Sequence, residues 1–146
     1  MDSVEPDLKL GGFSLWVFGR QFPNATDYWD GNWLNVRARI EAPGAVVQAQ
    51  GCFVFAPDLA SFTRELETLH TVLVGEARLR SLEPNLEITI QCGTGGHVTA
   101  RFMITPDHMT QSHEFEFYLD QTYLGPFLDG CRSVLSRWPV RPQASA

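Results

Sequence analysis

Positive charge is scarce in this chain, and no apolar stretch is long. Eleven Lys and Arg stand against seventeen Asp and Glu, a formal net charge of -6 over 146 residues. That balance works against broad attraction to nucleic-acid phosphates or anionic membranes, so neither is expected as a partner. No segment reaches the ~20 apolar residues that span a bilayer. The start, Met-Asp-Ser-Val-Glu-Pro-Asp, lacks the cationic and apolar regions of a secretory signal. A soluble, cytoplasmic protein is the expectation. Cysteine is sparse too: Cys52, Cys92 and Cys131 are odd in number, far apart, and each set in an apolar pattern. This excludes a disulfide framework and favours reduced thiols packed as small hydrophobes.

Motifs that carry chemistry are also missing. Gly93-Thr94-Gly95-Gly96 is the sole glycine-rich loop, yet it opens a strand, whereas a phosphate-cradling loop must open a helix. Neither G-x-G-x-x-G nor the Walker lysine pattern occurs, and there is no G-x-S-x-G nucleophile elbow. His108 and His113, with Asp107 nearby, have no Cys pair or H-E-x-x-H beside them, so no metal site and no cofactor are expected. Cys92 lies near His97 across a turn, but it continues the inward row of Leu86, Ile88 and Ile90, the position of an inert thiol and not of a nucleophile. No catalytic residue emerges, and an enzyme is not expected.

What the chain does contain is material for a core. Hydrophobic residues make up 44% and aromatics 12%, enough for one packed domain. Leu59, Phe62, Leu66, Leu69 and Leu73 follow a 3,4,3,4 spacing, and so do Leu124, Phe127, Cys131, Val134 and Trp138; each set lines one stripe of a helix. These predict helices from about 58 to 73, closed by Gly75, and from about 122 to 137. Strand-like sequence precedes both. Residues 8 to 18 change apolar phase across Gly11-Gly12 and read as one strand with a bulge or bend. Residues 33 to 41 alternate, with Leu34, Val36, Ala38 and Ile40 on one face; a Pro43-Gly44 turn leads into 46 to 55. Four more alternating runs lie between the helices. The predicted fold is α+β and two-layered: a mostly antiparallel seven-stranded sheet with two helices on one face, in the order βββα-ββββα. A single domain should occupy 1 to 138, with a frayed tail over 139 to 146.

Two sets of surface positions suggest recognition. Arg37, Arg39, Arg78, Arg80 and Arg101 should share the outer sheet face with Glu87, Glu114, Glu116 and Tyr118, either as cross-strand ion pairs or as a polar docking face. Asp27-Tyr28-Trp29-Asp30-Gly31-Asn32-Trp33 concentrates large aromatics and carboxylates in one connection. Such residues form binding hot spots, and they also anchor loops over a core. The candidate partner-binding residues are therefore Tyr28, Trp29, Asp30, Trp33, Arg37, Arg39, Glu114, Glu116 and Tyr118.

In these same residues the chain resembles the WapI-type immunity proteins, a bacterial family associated with polymorphic toxin systems. The resemblance is carried in order by Asp27 to Leu34, by Asp58-Leu59-Ala60-Ser61-Phe62 on to Leu66, by Gly75-Glu76-Ala77 with Leu82-Glu83-Pro84, and by Asp120-Gln121-Thr122-Tyr123-Leu124. It implies a non-catalytic protein that neutralises a cognate toxin domain by occlusion, with that toxin as partner. The alternative expectation is a small-molecule-binding module or enzyme with a pocket between sheet and helices, lined by Trp16, Phe18 and Phe102.

Overall fold

Leu8 and Leu10 face inward on one phase, Phe13, Leu15 and Val17 on the other, and a tight reversal reconciles the two. In the computed structural model, which describes residues 4–142, the N-terminal run is two strands: β1 (Leu8–Leu10) and β2 (Phe13–Arg20), paired antiparallel with Leu10 opposite Phe13. Where one strand with a bulge or bend is expected, a two-residue hairpin divides the run into two. Gly11 takes φ 57°, the positive value that a tight hairpin turn favours. Gly12 accepts a hydrogen bond from Glu41 N–H (3.0 Å) so closely that an added Cβ would stand 2.0 Å from the Glu41 carbonyl oxygen.

A short helix α1 (Tyr28–Gly31) follows, then β3 (Trp33–Ala42) and β4 (Ala45–Phe55), which leads directly into helix α2 (Ala56–Val72). Pro57 at the start of α2 suits a position whose N–H has no helical acceptor. The helix is closed by Leu73, in the left-handed region at φ 62° with its N–H on the Leu69 carbonyl (2.8 Å), and not by Gly75, which begins the next strand. The second half runs β5 (Gly75–Leu79), β6 (Leu86–Cys92), β7 (His97–Ile104), β8 (Glu114–Asp120) and helix α3 (Leu124–Arg137).

The expectation of one seven-stranded sheet with two helices on one face is overturned. The strands form two separate four-stranded antiparallel sheets, ordered β1-β2-β3-β4 and β5-β6-β7-β8, so the element order is ββββα twice apart from α1; the α+β class stands. Alternation specifies which face of a strand is buried, and it is satisfied equally by a neighbour in the same sheet or by a second sheet across the core.

The strands bury alternating inward rows, except that β4 ends with Phe53, Val54 and Phe55 all buried, and the rows of both sheets join the apolar stripes of α2 and α3 in one buried cluster. Phe13 of the first sheet stacks on Phe102 of the second, ring centroids 4.5 Å apart. The helices meet through Phe62 and Phe127, edge to face at 6.1 Å. Beside that contact the buried Thr63 hydroxyl donates to the Leu59 carbonyl (2.7 Å), and burial pushes the Cys131 thiol up to about 12. Helix α2 lies against β5 and α3 against β1, so each helix leans on the first strand of the other half. Gly130 permits the α3 contact: an added Cβ would sit 2.6 Å from the Asp7 carbonyl oxygen. All three cysteines are free thiols, with Cys52 only half-buried. Among the described residues no helix is long and apolar enough to cross a membrane.

Candidate functional site

The aromatic segment is built on a buried amide. Asp27 caps α1 by accepting the Asp30 N–H (3.0 Å), which turns the chain so that Asn32 enters the core with no exposed surface. Its Nδ2 donates to the carbonyls of Tyr28 (2.8 Å) and Arg141 (2.9 Å), and its Oδ1 accepts the Arg141 N–H (2.8 Å). The Asn32 carbonyl in turn accepts the Ala56 N–H (2.9 Å) at the start of α2. One residue thus ties α1, β3, α2 and the segment after α3 together. Arg141 extends the clasp by donating to the Pro23 carbonyl (2.8 Å) and the Ala25 carbonyl, while Arg20 donates to the carbonyls of Gly31 (2.7 Å) and Pro139. Burial, and then the Arg141 charge beside it, lower the Arg20 pKa. Where a frayed tail over 139 to 146 was expected, Pro139 and Arg141 are held in this clasp; residues 143–146 lie outside the described residues.

Above the clasp, three rings gather on Phe55 at the end of β4. Tyr28 meets it edge-on at 5.4 Å, Trp33 at 4.7 Å, and Trp29 stacks on it at 5.8 Å. Tyr28 and Trp33 are half-buried by these contacts, whereas Trp29 stays 56% exposed beside the exposed Asp30.

The other candidates fall elsewhere. Arg37 lies on the outer face of the first sheet, its guanidinium 4.5 Å from the Trp16 ring centre and 5.7 Å from Phe18. Arg39 pairs with Glu41 at 2.6 Å on that same face. Glu114, Glu116 and Tyr118 belong to the second sheet, so the common outer face expected for all of them is divided between two sheets. The expected pocket is divided as well. Phe102 is fully buried against Phe13, whereas Trp16 and Phe18 point outward from β2, so the three residues line no shared cavity.

On the second sheet, Arg101 bridges two carboxylates, Nε to Glu114 and Nη2 to Glu116, both at 3.1 Å. The Tyr118 hydroxyl, then Arg101, hold the Glu116 carboxyl below its ordinary range, and the same bond raises the phenol of Tyr118, which is 78% exposed. The Asp120 carboxylate is lowered by bonds from the Thr122 hydroxyl and the Thr122 N–H. Clefts of different character adjoin this half. A polar one of about 310 Å³ is lined by Asp58, Ser61, Glu65, Arg78 and Arg80, and burial raises the Asp58 pKa there. A more apolar one of about 370 Å³ is lined by Lys9, Leu10, Gly11, Thr122, Tyr123 and Pro126.

Residues 7–139 match the model of a family described as the immunity protein WapI-like family. The chain belongs to that family. The match extends from Asp7, just before β1, to Pro139 in the clasp, and so takes in both sheets and all three α-helices. The resemblance found in the sequence segments is thereby shown for nearly the whole chain. The chain matches no curated protein and no solved structure.

The clasp was not among the residues singled out from sequence, although a signal existed. Asn32 occupies the same strand phase as Leu34, Val36, Ala38 and Ile40, all of them fully buried. A polar side chain on an inward row must find partners, which makes it a marker of a buried network.

Proposed function

We propose that this protein is a non-catalytic immunity protein of the cytoplasm, which neutralises a cognate bacterial toxin domain by binding it one to one and covering its active surface. The observation that carries the reading is the family match over residues 7–139. The surface is consistent with it. The net charge of -6 favours encounter with a basic domain such as a nuclease, and Tyr118 and Trp29 are exposed aromatics placed next to carboxylates, a composition that suits protein recognition. The face proposed for the toxin is the outer side of the second sheet around Glu114, Glu116 and Tyr118, with Trp29 and Asp30 as a second contact.

Co-expression with a toxin encoded next to this gene is the direct test. Growth should be restored, the two proteins should co-elute as one complex, and toxin activity should fall linearly to zero at one equivalent. Killing that is equal with and without this protein, and no shared elution peak, would refute the proposal. Inactivation by far less than one equivalent would refute occlusion in favour of catalysis.

A further inference from the structure

Strand β8 is the last in its sheet, and among the described residues it pairs only with β7. Its hydrogen-bonding phase is fixed by the ladder. Ile104 N–H donates to the His113 carbonyl (3.2 Å), one step beyond the Met103–Glu114 pair. Hydrogen-bonded pairs alternate along an antiparallel ladder, so Phe102–Phe115, Ala100–Phe117 and Val98–Leu119 are also of that kind. The backbone N–H and C=O groups of Glu114, Glu116, Tyr118 and Asp120 consequently point away from the sheet, at an edge with no strand beside it.

The side chains along this edge separate by face. Glu114, Glu116, Tyr118 and Asp120 are exposed on the outer face. Phe115, Phe117 and Leu119 form the inner row and are only half-buried, unlike the closed rows of β6 and β7. At the Asp120 end, the inner row adjoins the apolar cleft through Gly11, which lines that cleft and lies under Phe117, where an added Cβ would be 3.2 Å from the ring.

From this arrangement we infer that β8 receives an extended segment of the protein partner as a fifth strand, one in which apolar and basic residues alternate. Partner residues opposite Phe115, Phe117 and Leu119 would complete the inner row, with an apolar anchor in the cleft between Leu10 and Tyr123. Those opposite Glu114, Glu116 and Asp120 would meet carboxylates that outnumber the one guanidinium, Arg101, among them. A second copy of the chain is disfavoured as occupant, because pairing β8 with itself would set carboxylates against carboxylates. The inference rests on the toxin-binding reading for the identity of the partner and adds to it the manner of docking.

The test uses the full chain, labelled with ¹⁵N and titrated with a capped peptide of alternating valine and arginine, about seven residues long to match the strand. A valine–glutamate peptide of equal length is the control. Expected are shift changes and slowed amide exchange at Glu114, Glu116, Tyr118 and Asp120 with the basic peptide and none with the acidic one. Glu116→Pro deletes an outward N–H that the β7 ladder does not use and should weaken the peptide about tenfold, whereas Glu116→Gln keeps the N–H and should weaken it about twofold. Because proline can disturb the strand itself, amide exchange in the unsubstituted protein is the deciding readout. Shifts confined to other surfaces, an equal response to both peptides, or free exchange at those four amides would overturn the inference. Failure of the immunity reading would look different: the basic peptide docks on β8, yet no toxin is neutralised. A toxin complex that leaves the four amides exchanging at their free rate overturns the strand addition and keeps the immunity reading.

Discussion

Replacing Asn32 by leucine should unfasten the clasp at a cost that the geometry sets. Leucine is of similar size and apolar, so the inward position stays filled, but the carbonyls of Tyr28 and Arg141 and the Arg141 N–H lose their partners together. Leaving a buried polar group unsatisfied costs roughly 1–3 kcal/mol. Three groups at the low end of that range give about 3 kcal/mol. The upper end is not reached, because the segment after α3 can lift away and expose its two groups to water. For a chain of this length the change corresponds to a Tm about 10 °C lower. Truncation after Trp138 removes the two Arg141 bonds from the other side. The two changes should therefore be less than additive, with a coupling of about 1–2 kcal/mol in a double-mutant cycle of urea unfolding. A loss below about 1 kcal/mol for Asn32→Leu, or strict additivity with the truncation, would refute the view of Asn32 as the tie between α1 and the segment after α3.

Three further outcomes are expected. The unfolded chain releases the Cys131 proton near pH 8.5–9, whereas the folded chain holds it up to about 12. Stability is therefore fully present below about pH 8.5 and falls by up to about 1.4 kcal/mol per pH unit above it; urea unfolding at pH 8 and pH 10 should show this slope, and Cys131→Ala should lessen it. Gly130→Ala adds helix propensity of about 1 kcal/mol but drives a Cβ to 2.6 Å from the Asp7 carbonyl oxygen. The clash should win, with a net loss of about 2 kcal/mol in the same assay, and a gain would show that β1 yields to α3. Leu73→Gly relieves a left-handed leucine at φ 62° and should stabilise by about 0.5–1 kcal/mol, read as a higher urea midpoint.

How far the sequence could be read depended on whether local order or partner choice was at stake. The alternation of residues 33 to 41 and the stripes Leu59 to Leu69 and Leu124 to Val134 specify faces, and those positions are buried as expected. The phase change between Leu10 and Phe13 was visible, but a bulge and a two-residue hairpin shift the phase alike, and only the register distinguishes them. The split into two sheets was not legible, because Phe13 is equally satisfied beside a strand or stacked on Phe102 across the core. Of the candidate surface residues, Tyr28, Trp29, Asp30 and Trp33 do gather at one place, while Arg37 and Arg39 lie on a different sheet from Glu114, Glu116 and Tyr118. Composition marked the aromatic segment correctly as unusual. It could not show that Gly31 and Asn32 are there to close the fold, since the partner that explains them, Arg141, is more than a hundred residues away.

The seating of α3 on β1 has a consequence for synthesis. Strand β1 leaves the ribosome well before α3 and cannot bury Leu8 and Leu10 against that helix until it too has emerged, on the order of ten seconds later at ordinary translation rates. Throughout that interval the nascent first sheet presents a greasy flank. Prematurely terminated products lacking residues 124 to 137 should therefore be bound by holdase chaperones and degraded quickly, while finished molecules escape both.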